Sequence, residues 1–246
     1  MKGVILAGGK GTRLHPLTRI TNKHLLPIYD RPMVTYAVEA LVSAGVTELM
    51  LVTGGTHAGE FFRLLGDGHE HGIERLFYAY QEGEGGIAEA LGLAERFVEG
   101  DHVAVMLADN VFGRAIWPSV AAFEQQERGA RIVLARIDEP AHLRHLGVAA
   151  LDGDRVAGIV EKPAKPPSDL AVTGLYLYDA AVFDVIPTLE PSERGELEIT
   201  DVNNWYVEQG LMAYDVLEGF WGDAGESIDA YYAVNDYVRR NGANKR

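Results

Sequence analysis

Apolar runs typical of buried strands alternate with amphipathic helical patterns along the first half of the chain, and this alternation restricts the fold more than any other feature. Strands are predicted at residues 4–7, 48–53, 73–80 and 102–107, and helices at residues 33–44, 58–65, 86–97 and 116–128. Strands that alternate with helices in this way form βαβ units, whose parallel sheets are covered by helices on both faces. The first half is therefore predicted to be a doubly wound α/β sheet.

The second half has a different pattern. Strands are predicted at 131–137, 171–178 and 212–217, a hairpin at 147–151 and 155–161, and helices at 198–209 and 227–240. We therefore predict an α/β protein with a Rossmann-like three-layer αβα architecture, a mixed, mostly parallel central sheet and an insertion in the second half. A single domain over residues 1–246 accommodates this length.

Composition and charge exclude several classes of function. The chain has no cysteine, and therefore no disulfide, thiolate zinc site or cysteine nucleophile. A formal net charge of −14 argues against a nucleic-acid partner, which needs a basic surface. No apolar run approaches the roughly 20 residues of a membrane helix, and the N-terminus has no signal-peptide pattern. These features predict a cytoplasmic protein with no membrane or nucleic-acid partner.

A glycine-rich segment follows the first predicted strand. Gly8, Gly9 and Gly11 lie directly before Thr12 and Arg13. Glycines allow backbone N–H groups to approach an anion closely, and a fixed cation beside them suits phosphate oxygens. Residues 1–29 contain no Asp or Glu and carry +5, which leaves −19 for the rest of the chain. This local positive charge predicts that the loop binds a small polyanion.

The loop departs from two common phosphate-binding motifs. It lacks the Gly-Lys-[Ser/Thr] of a Walker A loop at the required spacing. It matches only part of the dinucleotide pattern, because Gly9-x-Gly11 is followed by Leu14 where a third glycine is needed. An NAD(P)-dependent oxidoreductase therefore stays open as an alternative.

Short motifs follow one another along nearly the whole chain. They are Leu6-Ala-Gly-Gly-x-Gly-Thr-Arg-Leu14, Asn22-Lys-His-Leu-Leu-Pro-Ile-Tyr-Asp-Arg-Pro-Met33, Gly85-Gly-Ile-Ala-Glu-Ala-Leu91, Ala108-Asp-Asn110, Glu161-Lys-Pro163, Ala171-Val-Thr-Gly-Leu-Tyr176, Arg194-Gly-Glu-Leu-Glu-Ile-Thr-Asp201 and Asp223-Ala-Gly225. This ordered set resembles the sugar-phosphate nucleotidyltransferases, and within them most closely the glucose-1-phosphate thymidylyltransferases.

The resemblance implies a reaction and two substrates. An oxygen of glucose 1-phosphate attacks the α-phosphorus of dTTP, or of UTP as the alternative, and pyrophosphate leaves. Such chemistry requires positioning and cations more than covalent groups. Residues 1–130 are then expected to form mainly the nucleotide-binding half and residues 131–246 mainly the sugar-phosphate-binding half, which contains the insertion.

Nucleotide-binding roles follow from the same resemblance and from residue chemistry. Arg13 is expected to clamp the triphosphate, because guanidinium binds phosphate in a bidentate way. Lys23 is assigned to the developing charge at the α-phosphate or leaving group. A Gln side chain carries both a donor and an acceptor, which suits a pyrimidine edge. The expected nucleotide-binding set is Leu6, Ala7, Gly8, Gly9, Gly11, Thr12, Arg13, Gln81, Gly86 and Asp109.

A metal and a sugar phosphate are expected beside the nucleotide. Asp109 ends a buried apolar strand, where a carboxylate is well placed to hold Mg²⁺. The resemblance implies that Asp223, in a glycine-flanked turn, provides the second carboxylate on the same metal. The resemblance implies that Glu161 accepts hydrogen bonds from sugar hydroxyls and that Lys162, the third predicted catalytic residue, neutralises the sugar phosphate. The expected sugar-phosphate set is Asn110, Gly147, Glu161, Lys162 and Val172.

Several positions depart from the usual motifs of the family. His24, Ala108 and Leu146 stand where Gln, Gly and an aromatic residue are common, and Gly222-Asp-Ala replaces the more common Leu-Asp-Thr. Longer members carry an extra C-terminal helical segment, so this short form is expected to lack their second nucleotide site and to form a dimer or another smaller homo-oligomer. A non-catalytic nucleotide-sugar sensor on the same fold is a third hypothesis.

Overall fold

The computed structural model describes residues 1–245. In this part of the chain the strands are β1 (Lys2–Ala7), β2 (Pro27–Ile28), β3 (Arg31–Pro32), β4 (Glu48–Gly54), β5 (Arg75–Gln81), β6 (Val103–Leu107), β7 (Asn110–Phe112), β8 (Ala130–Arg136), β9 (Gly147–Asp152), β10 (Arg155–Glu161), β11 (Leu170–Tyr178), β12 (Met212–Val216) and β13 (Trp221–Asp223).

Helices connect most of these strands. They are α1 (Val34–Ser43), α2 (Ala58–Leu65), α3 (Ile87–Gly92), α4 (Glu95–Val98), α5 (Trp117–Glu124), α6 (Pro140–Leu143), α7 (Val182–Val185), α8 (Ile199–Glu208) and α9 (Ile228–Asn241). No helix within residues 1–245 is both long and apolar enough to cross a membrane.

One large mixed sheet organises the molecule. Its strands run in the order β10-β9-β11-β6-β1-β4-β5, while β8 pairs with β11 and β12. Strands β6, β1, β4 and β5 are parallel to one another, whereas β11 is antiparallel to β6, β8 and β9. The predicted α/β architecture with a mixed central sheet is confirmed, with the parallel pairs concentrated in the first half.

Helices cover both faces of this sheet because successive strand residues point in opposite directions. Ile5 and Leu51 belong to a buried cluster that includes residues of α1, α2 and α5, whereas Val4 and Val52 belong to a second cluster with residues of α3, α4, α7 and α8. The two clusters fill the two interfaces between the sheet and its helices, so the molecule has three layers. A third cluster lies between the N-terminal segment and α9.

Two predicted helices differ in the structure. The helix predicted at 86–97 is divided into α3 and α4, and α3 ends at Gly92, a residue with low helix propensity. The helix predicted at 116–128 ends at Glu124, because the Gln126 side chain bonds the carbonyls of Arg128 and Ala130 and Gly129 adopts a positive φ.

A short two-stranded ribbon was missed from the sequence because three-residue strands leave no readable pattern. β7 and β13 pair antiparallel, with Asp223 opposite Asn110. The backbone N–H of Ala224 also donates to the carbonyl of Asp109 at 2.9 Å. This ribbon brings the C-terminal turn against the end of β6.

Candidate active site

A cavity of about 380 Å³ lies at the carboxyl ends of the central parallel strands. This is where open α/β sheets bind their ligands. Residues of both halves of the chain line it. Of the residues predicted from the sequence, the lining includes Leu6, Gly8, Gly9, Arg13, Lys23, Gln81, Gly86, Asp109, Asn110, Gly147, Glu161, Lys162, Val172 and Asp223.

Three residues predicted to bind nucleotide lie outside this lining and shape the loop instead. Ala7 is fully buried, and its carbonyl accepts a hydrogen bond from the Thr53 hydroxyl at 3.2 Å. Gly11 has φ +63°, and a Cβ there would lie 3.1 Å from the Lys23 side chain. Thr12 is exposed and begins a short 3-10 turn that also contains Arg13. The glycine thus permits close packing of the loop on the segment that holds Lys23.

The Arg13 side chain is exposed at the edge of the cavity. Among residues 1–245 it forms no ion pair. It is therefore available to an anionic ligand. Lys10, its neighbour in the loop, is instead paired with Glu84, at 2.7 Å between Nζ and Oε2.

Gln81 ends β5 and is 7% exposed. Its Nε2 donates to the Gly86 carbonyl at 3.2 Å and to Glu89 Oε1 at 2.9 Å. Gly86 adopts φ +97°, and a Cβ there would lie 2.4 Å from the carbonyl oxygen of Leu197. The glycine is required by both the positive φ and this close approach.

Lys23 and Asp109 form a buried ion pair, with 2.5 Å between Nζ and Oδ2. Asn22 caps the short 3-10 turn of Lys23 through its side chain, which accepts from the His24 N–H. Burial by itself would raise the pKa of Asp109, but the positive charge of Lys23 and its hydrogen bond outweigh burial and hold that pKa well below its usual range. Asp109 is therefore ionised at neutral pH.

His24 is buried beside this pair, with 3.8 Å between its Nε2 and Asp109 Oδ2. Desolvation by burial, with the nearby charge of Lys23, lowers the pKa of His24 to about 3. The imidazole is consequently neutral and adds no charge to the site.

Asp223 experiences the opposite electrostatic environment. Burial and repulsion by Asp109 raise the pKa of Asp223 to about 7, although Lys23, the Gly225 N–H and Arg13 act in the other direction. The Gly225 N–H donates to Asp223 Oδ1 at 2.8 Å. A cation between the two carboxylates would relieve their repulsion.

The fit of a divalent cation can be judged from these donors. No cluster of three or more His, Cys, Asp or Glu residues with metal-site geometry occurs within residues 1–245. Asp109 and Asp223 provide two carboxylates, which suffices for Mg²⁺ when substrate phosphates and water complete its coordination. The residues present therefore fit Mg²⁺ bound together with a phosphate substrate.

Asn110 is fixed by three hydrogen bonds. Its Oδ1 accepts from Trp221 Nε1 at 2.6 Å and from the Gly174 N–H at 2.8 Å, and its Nδ2 donates to Asp109 Oδ1 at 3.2 Å. Because Trp221 and Gly174 both donate to Oδ1, the Nδ2 side of the Asn110 amide faces Asp109. Asn110 thereby orients the Asp109 carboxylate, and its expected contact with the sugar phosphate stays a prediction.

The expected sugar-side residues meet at the open end of the β9–β10 hairpin. Glu161 pairs with Gly147 across the strands, and its Oε2 accepts from the Thr200 hydroxyl at 2.9 Å. Lys162 follows with φ +45°, and its Nζ lies 3.4 Å from Glu161 Oε1. A positive φ in a residue other than glycine is uncommon and is often found at functional sites.

Arg194 was missed as a site residue because its segment reads as a charged surface loop. The structure places it in the cavity lining, where its Nη2 lies 2.8 Å from Glu198, 3.4 Å from Glu196 and 3.9 Å from Glu161. Glu196 and Glu198 of the same segment also line the cavity. The high density of charge in this segment was the available signal.

Comparison with known proteins identifies the family over nearly the whole chain. The nucleotidyl transferase family matches residues 2–241. Glucose-1-phosphate thymidylyltransferases of an Actinoplanes species and of Neisseria meningitidis are 44% and 41% identical, over 97% and 96% of this chain and 78% and 82% of their own lengths.

Solved structures agree with these sequence relatives. A Bacillus anthracis protein assigned as a glucose-1-phosphate thymidylyltransferase, crystallised with sucrose, superposes with a TM-score of 0.92 at 46% identity, covering 97% of this chain and 95% of that one. A UDP-glucose pyrophosphorylase bound to UDP-glucose, at 24% identity and a TM-score of 0.81 over 97% and 98% of the chains, shares the fold. The chain therefore belongs to the nucleotidyl transferase family, in the group that contains the glucose-1-phosphate thymidylyltransferases.

Proposed function

We propose that the protein transfers a thymidylyl group from dTTP to glucose 1-phosphate, which yields dTDP-glucose and pyrophosphate. The observation that carries this proposal is the cavity itself. It gathers the cations Arg13, Lys23, Lys162 and Arg194 around two carboxylates, the buried Asp109 and the half-buried Asp223. The relatives of 39–44% identity include many named for this activity.

The nucleotide occupies the half of the cavity beside the glycine loop. Gly8 and Gly9 leave room for the triphosphate against the backbone, and Arg13 binds its terminal phosphates from the rim. Lys23 lies deeper in the cavity, where its ammonium stabilises the charge that develops as the bond from the α-phosphorus to the leaving oxygen breaks. Gln81 and Gly86 face the base.

The sugar phosphate occupies the other half. Glu161 accepts hydrogen bonds from sugar hydroxyls, and Gly147 and Val172 form the adjoining wall. Lys162 and Arg194 bind the phosphate, which would replace part of the carboxylate contacts that Arg194 now makes. One phosphate oxygen then forms the new bond to the α-phosphorus of dTTP, while pyrophosphate takes up the electron pair of the breaking bond.

We further propose that the divalent cation is Mg²⁺, held by Asp109 and Asp223. When bound, it supplies positive charge to the phosphate oxygens of the nucleotide. Lys23 pairs with Asp109 at the cavity wall, and this contact keeps the Asp109 carboxylate ionised. The same proposal includes a single domain, in which residues 1–130 mainly bind the nucleotide and residues 131–246 mainly bind the sugar phosphate. It also includes a cytoplasmic location, as expected of an enzyme that uses dTTP.

The test is pyrophosphate release from dTTP and glucose 1-phosphate with Mg²⁺, followed by identification of the sugar nucleotide by mass spectrometry. We expect dTDP-glucose as the main product. The absence of pyrophosphate across all four deoxynucleoside triphosphates, UTP and several sugar 1-phosphates would refute the proposal.

The family match excludes the NAD(P)-dependent oxidoreductase considered above.

UTP is the second candidate nucleotide because UDP-glucose pyrophosphorylases share the fold. Their low identity supports the fold alone, whereas the relatives of higher identity are named for thymidylyl transfer. We therefore expect a higher kcat/KM for dTTP than for UTP, measured with glucose 1-phosphate as the common acceptor.

A further inference from the structure

The orientation of the Gln81 amide is fixed by a residue outside the cavity lining. Both hydrogens of Gln81 Nε2 are used, one by the Gly86 carbonyl at 3.2 Å and the other by Glu89 Oε1 at 2.9 Å. Glu89 lies in α3 and is half-buried beneath the loop, since a Cβ on Gly85 would overlap its carboxylate. The carboxylate is therefore held in place by the backbone that crosses it.

The remaining polar atom of Gln81 faces the ligand space. A Cβ built on Gly8 would lie 3.3 Å from Gln81 Oε1, so this oxygen points toward the glycine loop. It accepts no hydrogen bond from any of the described residues. Gln81 consequently presents an acceptor, and only an acceptor, to a base in the cavity.

Reversal of the amide would be unfavourable. It would place Oε1 against the Glu89 carboxylate and the Gly86 carbonyl, which are both acceptors, and would leave those acceptors without their donor. Glu89 supplies a full negative charge, so its hydrogen bond to Nε2 is the stronger of the two restraints.

We propose that Glu89 is a positioning residue for base selection: it holds the Gln81 amide so that Oε1 accepts from the N3–H of thymine or uracil and repels the unprotonated N3 of cytosine. This inference rests on the proposed function, because it requires a pyrimidine nucleotide in this part of the cavity. Glu89 acts through Gln81 and does not itself contact the substrate.

The experiment uses four proteins: the wild type, Glu89→Gln, Gln81→Leu and the double variant. For each protein, kcat/KM and equilibrium binding are measured with dTTP and with dCTP. Glutamine at position 89 can donate to a reversed Oε1 and so permits both amide orientations. We expect Glu89→Gln to lower the dTTP-to-dCTP ratio at least tenfold. In the Gln81→Leu background the same change should alter the ratio less than twofold, because Glu89 then has no Gln81 amide to orient. The four proteins form a double-mutant cycle that measures this dependence of one residue on the other. Glu95→Gln, on the exposed surface of α4, is the matched control and should leave the ratio unchanged.

An unchanged ratio in Glu89→Gln, or an equal change in both backgrounds, overturns the role of Glu89. If circular dichroism shows that Glu89→Gln is not folded, Glu89→Ala replaces it with the same expectation. A wild type that releases no pyrophosphate refutes the proposed function, while the binding ratio in the same variants still decides the role of Glu89. A wild type that binds dTTP no better than dCTP overturns the inference as well.

Discussion

At the scale of single residues, two carboxylates of one cavity have opposite electrostatic environments. Asp109 is ion-paired with Lys23, whereas burial and the charge of Asp109 raise the pKa of Asp223 to about 7. Ionised Asp223 thus lowers the stability of the protein when no cation is bound. Such tension between stability and function is common at active sites.

Replacement of each carboxylate by the amide should separate these effects. A raised pKa means that the native state gains protons relative to the unfolded chain, so stability from Asp223 is lost as pH rises from about 4 to about 7. At pH 8 without metal, Asp223→Asn should therefore raise the free energy of unfolding by on the order of 1 to 3 kcal/mol. Asp109→Asn should lower it, because Lys23 is left buried without its partner.

Both variants should also reduce turnover at least a hundredfold at saturating Mg²⁺, if the carboxylates hold the metal. Urea unfolding and steady-state pyrophosphate release measure the two properties. Near-normal turnover in both variants, or a loss of stability in Asp223→Asn, would contradict the account.

At the scale of elements, strand β11 contacts the site through a local irregularity. The pairing of β11 with β8 shifts register between Val172 and Tyr176, and the N–H of Gly174 in this interval donates to Asn110. A Cβ on Gly174 would lie 2.6 Å from the Asn110 amide. The bulge and the glycine together let Asn110 orient Asp109.

Gly174→Ala should therefore reduce both stability and activity. The added methyl group displaces Asn110, which costs about 1 to 3 kcal/mol in a tightly packed core. We expect turnover to fall at least tenfold because Asp109 loses its orienting donor. Gly158→Ala is the control, since a Cβ on this β10 glycine meets no atom within 4 Å. Equal effects of the two substitutions would show that the Asn110 contact has no special importance.

The loop after β5 also contacts the glycine loop. Glu84 accepts from the backbone N–H of Lys10 at 3.2 Å and pairs with its Nζ, so a carboxylate occupies donors that suit phosphate. The pKa of Glu84 is lowered by the hydrogen bond from Lys10, and the carboxylate is therefore ionised.

Removal of this charge should favour the nucleotide. Glu84→Gln is expected to lower the KM for dTTP two- to fivefold with kcat nearly constant, because an exposed pair contributes about 1 kcal/mol or less. Glu82→Gln, an exposed residue of the same loop, serves as the control. A higher KM in Glu84→Gln would mean that the contact assists binding of the nucleotide.

At the scale of the whole molecule, one ion pair joins the segment after β8 to the C-terminal part of the chain. His142 Nε2 of α6 lies 2.7 Å from Glu226 Oε2, three residues after Asp223. The hydrogen bond to Glu226 raises the pKa of His142 against the opposing effect of burial, with help from Asp223 and Glu139. The pair thus links α6 to the turn that holds Asp223.

This pair should make stability depend on pH. A raised histidine pKa contributes stability that is complete below the unfolded pKa near 6.5 and is lost as pH rises through the folded value. His142→Gln should thus lower the free energy of unfolding at pH 6 by up to about 1 kcal/mol, and by less at pH 8.5. Urea titrations at both pH values measure this difference, with the exposed His69→Gln as control. A larger loss at pH 8.5 would contradict the assignment.

The sequence by itself determined the layered α/β architecture, because the periods of two and 3.6 residues report which faces are buried. It also suggested the glycine loop, Arg13, Lys23, Asp109 and Asp223 as one chemical set, because these residue types suit phosphate and metal and because their motifs resemble those of one family. Their roles stay predictions, although the structure brings Arg13, Lys23, Asp109 and Asp223 into one cavity.

Only the tertiary structure decided how these residues contact one another. The Lys23–Asp109 pair, the β7–β13 ribbon and the place of Arg194 in the cavity all join positions far apart in sequence. The direction of the Gln81 amide depends on the Glu89 carboxylate and the Gly86 carbonyl, which both accept hydrogen bonds from its Nε2. Such contacts arise from strand register and side-chain packing, and a linear pattern of residue types contains neither.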